Sequence, residues 1–176
     1  MIKGIFVGLL TAALTGLAGA YAFVSLGLMP ANADANPGRL ETWAARKSLH
    51  AAIRRQAPQG DNPASLNDSN LISGIKAYAA DCAVCHGAAD ARASRIAEGL
   101  YQKAPQFAKD GVEDDPDGAT YWKVDHGIRL TGMPSFGASL SQLKIWQVAL
   151  FLKHMDGLTG GAAKAWKEVP SQGASK

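Results

Sequence analysis

Cys82-Ala83-Val84-Cys85-His86 is the stretch on which the reading of this chain turns. Its two thiols stand three positions apart, a spacing that lets them add to the two vinyl groups of one haem. His86 follows directly and can offer its imidazole to one axial face of the iron. C-x-x-C-H is the sequence sign of c-type haem attachment, but C-x-x-C also serves dithiol redox sites and half of a zinc site. The rest of the chain decides among the three.

The 176 residues contain two cysteines, both in this motif. A bridge between them would close a very small loop and add little stability. His50, His126 and His154 are scattered, with no H-x-x-x-H pairing to complete a zinc site. Charge is unevenly placed. Arg39, Arg46, Lys47, Arg54 and Arg55 face Glu41 alone between residues 39 and 55, whereas residues 56–176 carry 12 basic and 13 acidic side chains. The net +3 therefore belongs to one short segment and not to the body of the protein. No nucleic-acid partner is expected, because that would need a basic face on the folded domain.

Residues 4–29 hold no charged side chain. This run exceeds the ~20 residues that cross a bilayer as a helix and also the 7–15 of a usual signal core. Ala31-Asn32-Ala33 offers an A-x-A cleavage site, so residues 1–29 read as a membrane anchor or a signal segment. Either way the remainder is exported. An uncleaved anchor with Lys3 inside leaves the C-terminal part in the periplasm, on the outer side of the inner membrane. A cleaved segment leaves it free in the periplasm.

Residues 30–67 read as a linker with a basic helix from Asn36 (N-cap) and Pro37 to about Arg55, followed by a Pro- and Asn-rich loop. That helix reads as a solvated arm, or as a juxtamembrane segment that touches anionic lipid. The domain proper is expected over 68–157, with 158–176 as a tail. Asp68 or Ser69 caps a helix carrying Leu71, Ile75, Tyr78 and Cys82 on one face, with Gly74 there for close helix approach. A short helix is expected around 90–98 and another from Asp115-Pro116 to Gly127. The last clear helix starts at Ser139 or Ser141, carries Leu143, Trp146, Ala149 and Leu150, and closes at Gly157. With no alternating strand pattern, the fold class is all-α.

An iron held by His86 needs something on its other face. Met133 lies in Thr131-Gly132-Met133-Pro134, where the flanking Gly and Pro make a turn that can present a thioether from a loop. Met155 instead suits a core filler. His126 is the rival ligand, although it sits at a helix end and not in a loop.

A helix with Gly74 and Tyr78, then Cys82-x-x-Cys85-His86, then Gly132-Met133-Pro134, then a helix with Trp146: this order resembles the class I c-type cytochromes. The 47-residue separation of His86 and Met133 is compatible with the small bacterial members. The resemblance covers about Asp68 to Gly157. It implies a cytochrome c fold of three to five helices around one covalently attached haem c. It also implies that Gly74, Tyr78 and Trp146 make the crossing of first and last helices. A proline carbonyl that receives the His86 Nδ1 bond is implied too, with Pro105 as the candidate despite a stretched spacing.

His86 and Met133 together are a standard haem ligation, in which the thioether favours the reduced iron. Leu130, Phe136 and Leu140 are expected to keep water from the Met loop. Arg129 is a candidate partner of a haem propionate, and Trp122 a candidate to line the haem unless it simply packs the core. With both axial positions filled, the expected function is single-electron transfer and not catalysis. The expected partners are redox proteins: a dehydrogenase, a quinol-oxidising complex or a terminal oxidase. The alternative is a peroxidase-like haem enzyme or catalytic subunit with a labile sixth ligand. A thiol oxidoreductase would need a βαβ setting that the sequence lacks.

Overall fold

The computed structural model describes residues 2–112 and 114–171. The chain divides into two compact units, residues 1–35 and 36–176. In the first, α1 (Ile2–Ser25) is one uninterrupted apolar helix. Its 24 residues reach about 36 Å, enough for a hydrocarbon core of about 30 Å. Gly27 then turns the chain at φ +67°, a conformation glycine adopts without penalty.

The second unit, from Asn36 onward, is helical throughout its described residues. Its frame is α3 (Asp68–Asp81), α7 (Asp117–His126), α8 (Gln142–His154) and α9 (Gly160–Lys167). Short helices α4 (Ala83–His86), α5 (Arg95–Gly99) and α6 (Phe107–Asp110) carry the loops on one side, and α2 (Arg39–Gln56) precedes them all.

α3 starts because the Asn67 side chain accepts from the Asn70 N–H at 2.9 Å, so the cap lies one residue before the expected Asp68. Leu71, Gly74, Ile75 and Tyr78 then form one buried stripe. It crosses α8, whose cap is Ser141, through Oγ, and whose buried face includes Ile145, Val148 and Phe151. Gly74 permits the crossing. A Cβ on it would lie 2.0 Å from the Gln147 carbonyl oxygen, so only glycine lets the two backbones approach. Tyr78 is fully buried and meets Phe151 edge-on at 5.3 Å.

Trp146, which the resemblance places at this crossing, packs on the core and also reaches α7. It stacks on Tyr121 at 4.3 Å and so joins α8 to α7. α7 begins at Asp117 and not at Pro116, because Asp115 is drawn to Lys123 at 2.5 Å and does not cap the helix. The Pro116 carbonyl receives the Ala119 and Thr120 N–H groups instead.

Part of the expected tail is structured. In α9 Ala162 is fully buried, Trp166 meets Tyr78 at 5.6 Å, and Gly161 N–H donates to Asp68 at 3.0 Å. Residues 172–176 of that tail lie outside the described residues. The loop after α2 is an ordered strap: Asn62 Nδ2 donates to Asp117 at 2.7 Å and to the Trp146 carbonyl at 3.1 Å. α2 begins at Arg39 with Gly38 as cap, later than the expected Asn36–Pro37 start. The Glu41 carboxylate reaches back to the Gly38 N–H at 3.4 Å and supplies the first-turn acceptor.

Candidate functional site

The C-terminus of α3 runs directly into the Cys82–His86 turn. Cys82 N–H still bonds the Tyr78 carbonyl at 2.8 Å, while Cys85 and His86 N–H groups turn back to the Cys82 carbonyl. Tyr78 Oη donates to the Gly87 carbonyl at 2.7 Å, tying the end of the motif to the helix crossing. The turn is thereby held by the most closely packed part of the molecule.

His86 is oriented twice over. Its Nδ1 lies 3.0 Å from the Pro105 carbonyl, which fixes Nε2 as the ring nitrogen left for another partner. Phe107 lies flat against the imidazole, with ring centres 4.3 Å apart and planes within 3°. Burial lowers the His86 pKa, and the Pro105 bond opposes that only in part. The ring is thus neutral and ready to act as a ligand. Pro105 is where the resemblance places an acceptor. Phe107 had no signal in the sequence, since one aromatic in a polar loop has no periodicity to mark it.

Gln106 is a further residue that motif reasoning missed. Its Nε2 donates to the Cys85 carbonyl at 2.9 Å and to Ala104 at 3.0 Å, so the Pro105 loop is laced to the cysteine turn. Its Oε1 is buried without a partner.

Met133 comes from a second loop folded back on the end of α7. Ile128 N–H bonds the Met133 carbonyl at 3.1 Å, and Met133 N–H bonds Thr131 Oγ1 at 3.1 Å. Phe136 N–H bonds the Val124 carbonyl at 3.0 Å. Gly127, at φ +68°, lies so close to Pro134 that a Cβ would come within 2.6 Å of its backbone.

These elements enclose a cavity of about 310 Å³, at the lower end of the range for small-molecule sites. Cys82, Cys85, His86 and Met133 all line it. Its walls are largely apolar, from Leu100, Val112, Ile128, Phe136 and Leu152 among others. Two thiols, one imidazole with a free Nε2 and one thioether on a single apolar cavity form a donor set that fits a covalently attached haem. Burial pushes the Cys82 thiol up to about 12 and also raises Cys85, so neither is the thiolate that disulfide exchange requires.

Other sequence candidates lie elsewhere. Trp122 is buried in the α7 packing, off the cavity lining, stacked at 4.8 Å on His126 with its indole N–H unpartnered. His126 is exposed and pairs with Asp125 at 3.2 Å. Arg129 is exposed, because the tight Ile128–Thr131 turn, with Leu130 at φ +62°, carries it outward. Leu130 itself is 87% exposed and shields nothing. Leu140 packs on the core instead of the cavity. The cations on the cavity are Lys103, bonded to the Glu98 carbonyl at 2.6 Å, and Lys123 with its partner Asp115. Leu49 of α2 also lines it.

Comparison with known families gives a match over residues 69–152 to the family described as cytochrome C oxidase, cbb3-type, subunit III. Neither the search of curated proteins nor that of solved structures gave a match. The matched span runs from the first turn of α3 to the last turn of α8 and takes in the whole cavity except Leu49. The prosthetic group of such domains is haem c, and two cysteines spaced as here provide for one. Residues 69–152 of this chain belong to the class I c-type cytochromes.

Proposed function

We propose that the protein is a single-electron carrier whose one haem c is held by thioethers at Cys82 and Cys85 and ligated by His86 and Met133. When bound, the haem supplies the one-electron redox chemistry, and the protein supplies attachment, orientation and surroundings. The observation that carries this reading is the convergence of those four side chains on one apolar cavity. Pro105 and Phe107 hold the imidazole plane, and the 128–133 turn presents the thioether. Apolar walls keep water out and favour the less charged, reduced state. Two filled axial positions leave no place for a small substrate, which supports a carrier over a peroxidase-like enzyme. Lys103 and Lys123 fit the role of propionate partners better than Arg129, since they line the cavity and Arg129 does not.

The description of the matched family supports a terminal oxidase complex as electron-transfer partner, on the membrane that α1 is long enough to span. The visible spectrum of the purified protein tests the ligation. The oxidised form shows the weak far-red band of sulfur–iron charge transfer, and Met133→Ala abolishes it. Persistence of the band in that variant rules Met133 out, and carbon monoxide binding to the native reduced protein under mild conditions rules out the six-coordinate carrier.

A further inference from the structure

α2 lies outside the matched family span, and its two faces differ in kind. Thr42, Leu49, Ala52 and Ile53 are half-buried against the domain, with Leu49 reaching the cavity. The opposite face holds Arg39, Trp43, Lys47, His50 and Arg54, spaced as one helical stripe and all exposed. Trp43 is 63% and the adjoining Leu40 75% exposed. Arg39, Trp43, Arg46, Lys47 and His50 together line a shallow groove.

None of the helix's five cations forms an ion pair among the described residues. The one carboxylate of α2, Glu41, is engaged by Tyr101 Oη at 2.8 Å. The residues from 56 onward have no net positive charge to share, so this stripe is the molecule's cationic feature.

We propose that the outer face of α2 is a docking surface for the headgroups of anionic phospholipids. Three observations favour lipid over an acidic protein. Cations interleaved with an exposed Trp and Leu are what a helix lying in a membrane interface presents. Thirteen residues separate α1 from α2, so a fully extended linker keeps the start of α2 within about 45 Å of the end of an embedded α1. Each Lys or Arg near an anionic surface adds to the attraction, and Arg39, Lys47 and Arg54 on the stripe, with Arg46 beside them on the groove, place four cations within reach of the headgroups. Since Leu49 lines the cavity from the inner face, a bound membrane surface would lie about one helix diameter, roughly 10–12 Å, from the haem site.

The full-length, haem-loaded chain in lipid nanodiscs provides the test, with Lys47 acylation by a water-soluble reagent as readout and the exposed Lys76 of α3 as internal control. With phosphatidylglycerol present, Lys47 reacts about tenfold more slowly relative to Lys76 than in phosphatidylcholine alone, and high salt removes the difference. The double variant Arg39→Gln/Arg54→Gln loses this protection while its haem spectrum, reporting an intact fold, is unchanged. Equal Lys47 reactivity in the two lipids overturns the proposal and leaves the face to an acidic protein. Protection that survives high salt, or persists in the double variant, overturns it as well.

Discussion

The two sides of the haem-binding unit are built on different principles. Where α3 crosses α8, backbones touch through Gly74, and Tyr78, Phe151 and Trp166 fill the space with interlocked rings. Around the cavity, α2, α3, α7 and α8 supply part of the wall, but the remainder, including the Pro105 and Met133 segments, comes from loops and one-turn helices held by individual hydrogen bonds. The cysteine turn belongs to the first side, being the direct continuation of α3, and Met133 belongs to the second. The cysteine turn is thus anchored in the helix crossing, whereas Met133, the proposed second ligand, is held by a turn of individual hydrogen bonds.

Four substitutions test that contrast. Gly74→Val has the largest expected effect. Its Cβ alone would overlap a backbone carbonyl that has no room to yield, so the cost exceeds the usual 1–3 kcal/mol of overpacking, and expression should give no soluble haem-loaded protein. Recovery of a normally stable holoprotein would mean that the crossing is not as close as described. Phe151→Ala comes next, at about 3–5 kcal/mol in denaturant unfolding of the holoprotein, because the ring is fully buried between Tyr78 and Trp166.

Gln106→Ala should cost about 1–3 kcal/mol, since it leaves the Cys85 carbonyl without its side-chain donor, and it should also lower the reduction potential as water gains access to the loop. A loss above about 4 kcal/mol would place this loop with the rigid side instead. Arg129→Gln should change stability by no more than about 0.5 kcal/mol and leave the potential unmoved, as expected of an exposed turn residue. A clear fall in potential would return Arg129 to the haem environment.

The legibility of the sequence divided along the same line. α3 and α8 announce themselves through helical spacing of apolar residues and side-chain caps, and their expected extents differ from the observed ones by at most about three residues. The C-x-x-C-H motif and the Gly-Met-Pro turn were visible because haem attachment, and the thioether presentation proposed for Met133, each demand particular residue types in a particular order. α9 was not visible. Its Gly-Gly-Ala start resembles a tail, and its helix is secured by long-range contacts to Asp68, Tyr78 and Phe151. Arg129 and Leu130 were read by residue type as site residues, but the geometry of a four-residue turn carries both outward.

From the sequence alone came the all-α class, the apolar N-terminal helix, the attachment motif and the candidate ligands, because periodicity, length and covalent chemistry are local properties of a chain. Tertiary structure decided what no local pattern encodes: that Phe107 lies against His86, that Gln106 laces Pro105 to Cys85, and that Trp146 stacks on Tyr121. It also gave α2 an inner face that closes the cavity and an outer face that bears the charge. Those assignments depend on which distant residues share a space. That is settled only when the helices pack.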